Sequence, residues 1–245
     1  MTTDDRRQTT ADRRPPADSP VTLAVEDVTF TYPAGAQALR GVSLRVAPGE
    51  AVALVGENGA GKTTLVKHLN GLLKPTSGRV LVGEWDTREH TVARLAARVG
   101  YVFQNPDDQI VERTVADEVA FGPRRLGQTA AEQAANVAAA LEMVELSSEA
   151  KTHPYDLTAA QRKLITLASV LAMRTPVVIF DEPTMGQDAR GVGLIGRIIE
   201  NLKAGGHTVL TITHDIDFCA AHFGRVAVMA DGQVLADGPA AEVLA

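Results

Sequence analysis

Residues 56–63 constrain the fold of this 245-residue chain more than any other segment. They spell Gly-Glu-Asn-Gly-Ala-Gly-Lys-Thr, which fits the pattern G-x-x-x-x-G-K-[ST]. The apolar run Ala51 to Val55 before the loop predicts a buried strand, and Thr64 to Leu72 after it predicts a helix. Glycines in such a loop let backbone N–H groups surround phosphate oxygens at the positive end of the helix. The segment therefore predicts a nucleoside triphosphate site, the alternative being a chance glycine-rich turn before a helix.

Two side chains of this loop carry specific chemistry. Lys62 is placed to reach the β- and γ-phosphates, and the Thr63 hydroxyl is a hard oxygen ligand of the kind that Mg²⁺ prefers. The predicted cofactors are therefore ATP and Mg²⁺. The predicted phosphate-binding residues are Gly56, Glu57, Asn58, Gly59, Ala60, Gly61, Lys62, Thr63 and Thr64.

A pair of carboxylates follows a second apolar run. Val177 to Phe180 predicts a fully buried parallel strand, and Asp181 and Glu182 come directly after it. Because strand side chains alternate in direction, the two carboxylates are expected to point different ways. One can hold the metal while the other faces an attacking water. The alternative is a solvated acidic turn closed by Pro183, which the phosphate loop upstream makes the weaker interpretation.

A histidine ends a third apolar strand. Thr208 to Thr213 precedes His214, and strand ends in such a sheet point to one crevice, so we expect this imidazole near the γ-phosphate. No functional role is predicted for the other histidines, which are His68, His90, His153, His207 and His222.

Taken together, these motifs resemble the ATP-binding subunit of an ABC transporter over residues 22–245. The resemblance implies that Glu182 polarises the lytic water, that Asp181 sits on the metal and that His214 is the switch histidine. It also implies that Gln104 senses the γ-phosphate and Mg²⁺, and so belongs to both the catalytic and the metal set. Tyr32 occupies the position of the aromatic residue that stacks on adenine, although a tyrosine in a turn often serves packing alone.

Residues 104–110 and 114–123 resemble a narrower group, the energy-coupling-factor importers of vitamins and transition-metal ions. In that group the segment faces coupling helices of a membrane scaffold protein, and a separate membrane component binds the solute. The resemblance thus implies a scaffold partner, a substrate-binding partner and a peripheral position on the cytoplasmic face of the membrane. The alternative is that Asn-Pro-Asp-Asp at 105–108 is only a turn with helix-capping residues.

The signature loop of the family normally contains Ser-Gly-Gly, but residues 157–161 here spell Leu-Thr-Ala-Ala-Gln. The resemblance implies that Thr158 and Gln161 contact the ATP held by an opposite subunit. Thr158 keeps a hydroxyl that can cap a helix beginning near Ala159, whereas the alanines add Cβ atoms where glycine allows close approach to phosphate.

Two further departures fall at the expected dimer interface. Leu164 stands where the family usually has arginine, and Gln187 stands where leucine is usual. A homodimer would carry the altered loop in both ATP sites and a heterodimer in only one, so a heterodimer with a second ATPase is the favoured hypothesis over a homodimer. The resemblance implies an ATPase subunit that couples ATP hydrolysis to uptake of a vitamin or a transition-metal ion. The alternative function is a catalytically weak, nucleotide-binding scaffold subunit paired with an active ATPase.

These elements predict an α/β fold, a P-loop NTPase with a RecA-like parallel sheet core, an antiparallel β subdomain and a helical subdomain, as in ABC ATPases. We expect a disordered tail at residues 1–20 and one ATPase domain at 21–245, with the helical subdomain at about 105–173. Val21 to Ala51 and Gly78 to Val82 predict the antiparallel strands. Asp231-Gly232 predicts a tight hairpin between two C-terminal strands.

Composition excludes some classes of protein. The net charge of −6 does not favour general nucleic-acid binding, so no nucleic-acid partner is predicted. The single cysteine, Cys219, excludes an intrachain disulfide and is expected to pack in a helix. No apolar run reaches the roughly 18–20 residues of a membrane span, so membrane association is expected through a partner.

Overall fold

A computed structural model describes residues 21–245 of the chain. The tail predicted at residues 1–20 lies outside the described residues. No helix within 21–245 is both long enough and apolar enough to cross a membrane.

The strands in this part of the chain are β1 (Leu23–Thr31), β2 (Gln37–Val46), β3 (Ala51–Val55), β4 (Ser77–Val82), β5 (Trp85–Asp86), β6 (Val99–Val102), β7 (Val177–Asp181), β8 (Thr208–Ile212), β9 (Arg225–Ala230) and β10 (Gln233–Pro239). The α-helices are α1 (Lys62–Leu69), α2 (Val92–Leu95), α3 (Val115–Arg125), α4 (Ala130–Met143), α5 (Ala159–Ala172), α6 (Ala189–Ala204), α7 (Ile216–His222) and α8 (Ala240–Val243).

A six-stranded sheet in the order β10-β9-β3-β8-β7-β6 forms the centre of the fold. Its pairs β9/β3, β3/β8, β8/β7 and β7/β6 are all parallel. Every residue of β3, β7 and β8 is buried, as their continuous apolar sequences predict. The carboxyl ends of these strands therefore meet at one edge, which is where the predicted functional residues lie.

The strand β10 joins this sheet through an antiparallel hairpin with β9. Asp231 and Gly232 form its two-residue turn with φ of 49° and 75°, the left-handed conformations that such a turn requires. The predicted hairpin is confirmed.

A second sheet has the order β2-β1-β4-β5, and all its pairs are antiparallel. It contains the antiparallel strands that were predicted from residues 21–51 and 78–82. The mixed α/β class with one parallel and one antiparallel sheet is thereby confirmed.

The helices α3, α4 and α5 pack on one another. The first turn of α4 is closed by a capping box between Thr129 and Glu132. The predicted helix Thr64 to Leu72 begins earlier and ends earlier, at Lys62 and Leu69. Gly61 precedes it with φ of 100°, and Gly71 turns the chain with φ of 77°, a conformation that stops a helix.

Two apolar clusters cover the two faces of the central sheet. Alternate residues of β3 divide between them: Ala51, Ala53 and Val55 join one cluster, and Val52 and Leu54 join the other. This alternation is the period-two geometry of a strand that is buried on both sides. Burial of both faces fixes the register of β3, and with it the position of the loop that follows.

Candidate nucleotide-binding site

A cleft of about 360 Å³ opens at the carboxyl edge of the central sheet. Most of the predicted site residues line it, including Tyr32, Gln104, Asp181, Glu182 and the phosphate loop from Asn58 to Thr64. Gly56 and Glu57 lie just outside it, beside a neighbouring hollow that His214 also lines. The fold thus brings together segments that are far apart in the sequence.

The first and last glycines of the loop are held against other strands. At Gly56, where φ is 148°, an added Cβ would lie 2.0 Å from the carbonyl oxygen of Met229 in β9. At Gly61, where φ is 100°, it would lie 2.6 Å from the carbonyl oxygen of Ala38 in β2. Both positions therefore require glycine for space as well as for backbone conformation.

Lys62 places its ammonium group inside the loop. The Nζ atom donates to the carbonyl oxygens of Gly56 at 2.6 Å and Glu57 at 3.0 Å, and the residue is only 7% exposed. Burial lowers the pKa of Lys62, while the negative charges of Glu182 and Asp181 act in the opposite direction. A partly desolvated cation at this position is suited to bind phosphate oxygens.

Asp181 is buried and held by two hydroxyl groups. The Tyr101 hydroxyl donates to its Oδ2 atom at 2.7 Å, and the Thr63 hydroxyl lies 3.4 Å from its Oδ1 atom. The Thr63 hydroxyl, the Asp181 carboxylate and the amide oxygen of Gln104 are hard oxygen donors at one cleft, so the residues fit Mg²⁺. The sequence analysis did not predict a role for Tyr101. The feature that could have indicated one is a phenol hydroxyl in an otherwise apolar strand.

Glu182 follows the last residue of β7 and has a different hydrogen-bond partner from Asp181. Its Oε2 atom lies 2.9 Å from Nδ1 of His214. Glu182 is buried at 6% exposure, whereas the His214 side chain is 65% exposed. A shielded carboxylate next to an exposed imidazole can accept a proton from water and pass it outward.

Gln104 and Tyr32 both line the cleft, and each also contacts another part of the fold. The Gln104 amide is 3.8 Å from Sδ of Met185, in the loop that follows β7. The Tyr32 hydroxyl lies 3.0 Å from the Thr64 hydroxyl, and its ring packs edge-on against Phe30 at 4.9 Å. Tyr32 therefore packs in the fold and also presents a ring to the cleft.

Thr158 and Gln161 lie outside this cleft, beside a separate hollow that Gln187 and Asp188 also line. They form a capping box, in which the Thr158 hydroxyl accepts from the N–H of Gln161 and the Gln161 side chain accepts from the N–H of Thr158. The helix α5 begins at Ala159, so the predicted cap is confirmed.

Lys163, two residues after Gln161, was also missed from sequence. It is 4% exposed, and its Nζ atom donates to the carbonyl oxygen of Glu182. Burial lowers the pKa of Lys163 to about 8, against the attraction of Glu182 and Asp181. Its position in an apolar helix gave no indication of which carbonyl it would reach.

A family model for ABC transporters matches residues 39–185, a segment that contains the phosphate loop, the signature loop and both carboxylates. The chain belongs to the ABC transporter family. The energy-coupling factor transporter ATP-binding protein EcfA of Methanothermobacter thermautotrophicus is 40% identical over 223 residues, covering 90% of this chain and 72% of that protein. The resemblance to ABC ATPases of the energy-coupling-factor kind is thus confirmed.

Other relatives are longer than this chain. A putative ABC transporter ATP-binding protein of Caldanaerobacter subterraneus is 43% identical over 223 residues, and the match covers 91% of this chain but 39% of that protein. A second such protein, from Methanosarcina acetivorans, is 41% identical, and the match covers 37% of it. The chain therefore spans less than half the length of these two relatives.

Solved structures show the same ABC ATPase fold. The cbiO1 protein of Clostridium perfringens, described as part of the ABC transporter complex cbiONQ, is 35% identical with a TM-score of 0.81, over 91% of this chain and 90% of that one. The ATP-binding cassette MJ0796, solved as a dimer bound to ADP and Pi, is 26% identical with a TM-score of 0.82, over 89% and 98%. The predicted fold, including its antiparallel and helical parts, is confirmed.

Proposed function

We propose that this chain hydrolyses ATP and couples the hydrolysis to solute uptake, as the ATPase subunit of an importer of the energy-coupling-factor type. The observation that carries the proposal is the arrangement of two buried carboxylates at one cleft. Asp181 faces the Thr63 hydroxyl, and Glu182 faces His214, beside a phosphate loop that supplies Lys62. Metal-assisted phosphoryl transfer to water requires one group that binds the metal and another that orients the water, and the two carboxylates can fill these two roles.

In this proposal Lys62 and the loop N–H groups bind the phosphates, and Tyr32 packs on the adenine. Thr63, Asp181 and Gln104 would hold Mg²⁺, which supplies charge neutralisation on the phosphate oxygens when bound. Glu182 orients the attacking water and accepts its proton. His214, hydrogen-bonded to that carboxylate, stabilises the charge that develops at the γ-phosphate.

The signature loop supports a two-subunit arrangement. Thr158 and Gln161 do not line the cleft of their own chain, and we infer that they face the nucleotide of a second ATPase subunit. The dimeric state of MJ0796 with ADP and Pi supports this inference. Because Ala159 and Ala160 replace glycines, we further propose that the partner is a different subunit, so that only one composite site carries the altered loop.

The segment after Gln104 supports docking to a membrane scaffold with coupling helices. The buried Glu118 carboxylate accepts from the N–H groups of Val111 and Glu112, both at 2.8 Å. This contact holds an exposed Val111 side chain, 68% accessible, at the surface beside α3. Asn105 and Thr114 also cap helical turns, as the alternative interpretation expected, and a capped segment can still dock to a partner.

We place the chain at the cytoplasmic face of the membrane, bound through this scaffold, with a separate membrane component that binds the solute. The names of the EcfA and cbiO1 relatives support an ATPase subunit of a transporter complex, and we propose that the solute is a vitamin or a transition-metal ion. The ATPase domain would extend over residues 21–245, with its helical subdomain at about 105–173.

Purification from native membranes tests this function. We expect the tagged chain to co-purify with a second ATPase and membrane subunits, and Glu182→Gln to abolish both ATP hydrolysis and transport while ATP binding persists. Glu142→Gln, a matched change at an exposed position of α4, should leave both activities intact. Transport that is indifferent to Glu182→Gln would instead support the weak scaffold function, and a lone homodimer with ordinary turnover would exclude the heterodimer.

A further inference from the structure

Lys163 is a buried cation outside the nucleotide cleft. It lies in the second turn of α5, and its Nζ atom donates to the main-chain carbonyl of Glu182 and lies 3.5 Å from that of Met185. Burial of an ammonium group is costly unless specific partners compensate for it. The two carbonyl oxygens and the nearby acidic pair provide that compensation, and they direct the cation to the main chain of the proposed catalytic glutamate.

The backbone of Glu182 needs such support because it is strained. Its φ is 51°, in the left-handed region that residues with a Cβ adopt only at a cost. Its N–H donates to the carbonyl of Ile212 at 2.9 Å in the neighbouring strand, and its carbonyl accepts from Lys163. Both main-chain polar groups are thus fixed, which is how a folded protein maintains an unfavourable backbone conformation.

A second bond connects the same two elements in the opposite direction. The side-chain amide of Gln187, in the loop after β7, donates to the carbonyl of Ala160 at 3.0 Å. We call these two bonds, Lys163 to Glu182 and Gln187 to Ala160, the latch. The latch joins the first two turns of α5, which follow the signature loop, to the segment after β7 that carries Glu182.

We propose that the latch positions the Glu182 carboxylate and ties it to the signature loop of the same chain. Lys163 is then a positioning residue, since it acts through the main chain of Glu182. Given the dimeric function proposed above, on which this inference rests, the signature loop serves the partner's nucleotide while Glu182 serves the chain's own.

The test compares Lys163→Met, which removes the donor but keeps a long side chain, with Lys163→Gln, which keeps an N–H donor. In the purified full-length complex we expect Lys163→Met to lower kcat roughly tenfold or more, since small displacements of catalytic groups have effects of that size. The nucleotide Kd should stay within about twofold, because Lys163 does not line the cleft. Lys163→Gln should recover most of the lost kcat.

Lys74→Met is the matched control. This lysine also donates to main-chain carbonyls, those of Thr87 and His90, but lies outside the cleft and the latch. It should leave kcat unchanged. If Lys163→Met does not fold, Gln187→Leu removes the other bond of the latch and should lower kcat by a smaller factor at constant Kd.

Hydrogen exchange in residues 182–188 gives a readout that does not need turnover. Faster exchange there in Lys163→Met, but not in Lys163→Gln, is expected. An unchanged kcat in Lys163→Met overturns the proposal, and if that variant does not fold, an unchanged kcat in Gln187→Leu does so. A loss of nucleotide affinity as large as the loss of kcat also overturns it. If the wild type does not hydrolyse ATP, the proposed function fails, and unaltered exchange in Lys163→Met then overturns the latch independently.

Discussion

Replacing Tyr101 with phenylalanine isolates one hydrogen bond at the centre of the site. The Tyr101 hydroxyl donates to Oδ2 of Asp181 at 2.7 Å, and the two residues are 8% and 2% exposed. The substitution removes only the hydroxyl and leaves the ring in place. The Oδ2 atom of a buried carboxylate then loses the donor that it has in the wild type.

The magnitude follows from the charge on the acceptor. Hydrogen bonds to charged groups contribute about 1.5–3 kcal/mol, and loss of a donor to a buried acceptor incurs a cost of similar size. The remaining contact of Asp181, to the Thr63 hydroxyl, is long at 3.4 Å and reaches the other oxygen atom. We therefore expect Tyr101→Phe to lower the free energy of unfolding by about 1.5–3 kcal/mol, or the Tm by about 3–12 °C for a chain of this size.

Urea unfolding followed by far-UV circular dichroism measures this difference. Tyr155→Phe is the matched control, because Tyr155 is 50% exposed, and it should change stability by less than about 0.5 kcal/mol. Mg²⁺ and ATP should narrow the Tyr101→Phe deficit, since the metal would give Asp181 a new partner. If Tyr101→Phe lowers the free energy of unfolding no more than the control does, the Tyr101–Asp181 hydrogen bond does not stabilise the fold.

Three further predictions concern backbone space, thiol reactivity and pH. Gly56→Ala should lower the free energy of unfolding in urea by about 2–5 kcal/mol, because the added Cβ meets the Met229 carbonyl oxygen. Gly59→Ala, where an added Cβ has no atom within 4 Å, should lower it by about 1–2 kcal/mol. Equal losses in the two variants would contradict the contact with Met229. Burial raises the pKa of Cys219 to about 12, so Ellman's reagent at pH 8 should leave the native thiol unmodified and react fully in urea; rapid native reaction would show that α7 opens. Burial and Asp181 raise the pKa of Tyr101, so above about pH 10 the folded state keeps the phenol proton that the unfolded chain loses. The free energy of unfolding should therefore fall as the pH rises above about 10. Urea titrations at several pH values should also show that the stability deficit of Tyr101→Phe shrinks there.

The chemistry that depends on neighbouring residues could be predicted from the amino-acid sequence. The phosphate loop, the carboxylate pair after β7 and the Asp231-Gly232 turn each follow from a few consecutive residues whose backbone preferences are local. Parallel strands share one carboxyl edge, so the convergence of Glu182 and His214 could also be predicted, and the structure places them 2.9 Å apart. The capping role of Thr158 is local for the same reason.

Contacts between segments that are distant in the chain became visible only in the folded protein. Tyr101 reaches Asp181 across 80 positions, and Lys163 reaches the carbonyl of Glu182 from a helix whose sequence indicates only that it is buried. Gly56 is restricted by Met229, a residue that no local pattern connects with the loop. Such contacts depend on the distance and direction between packed elements to within an ångström, and hydrophobic patterning determines which faces pack but not that distance.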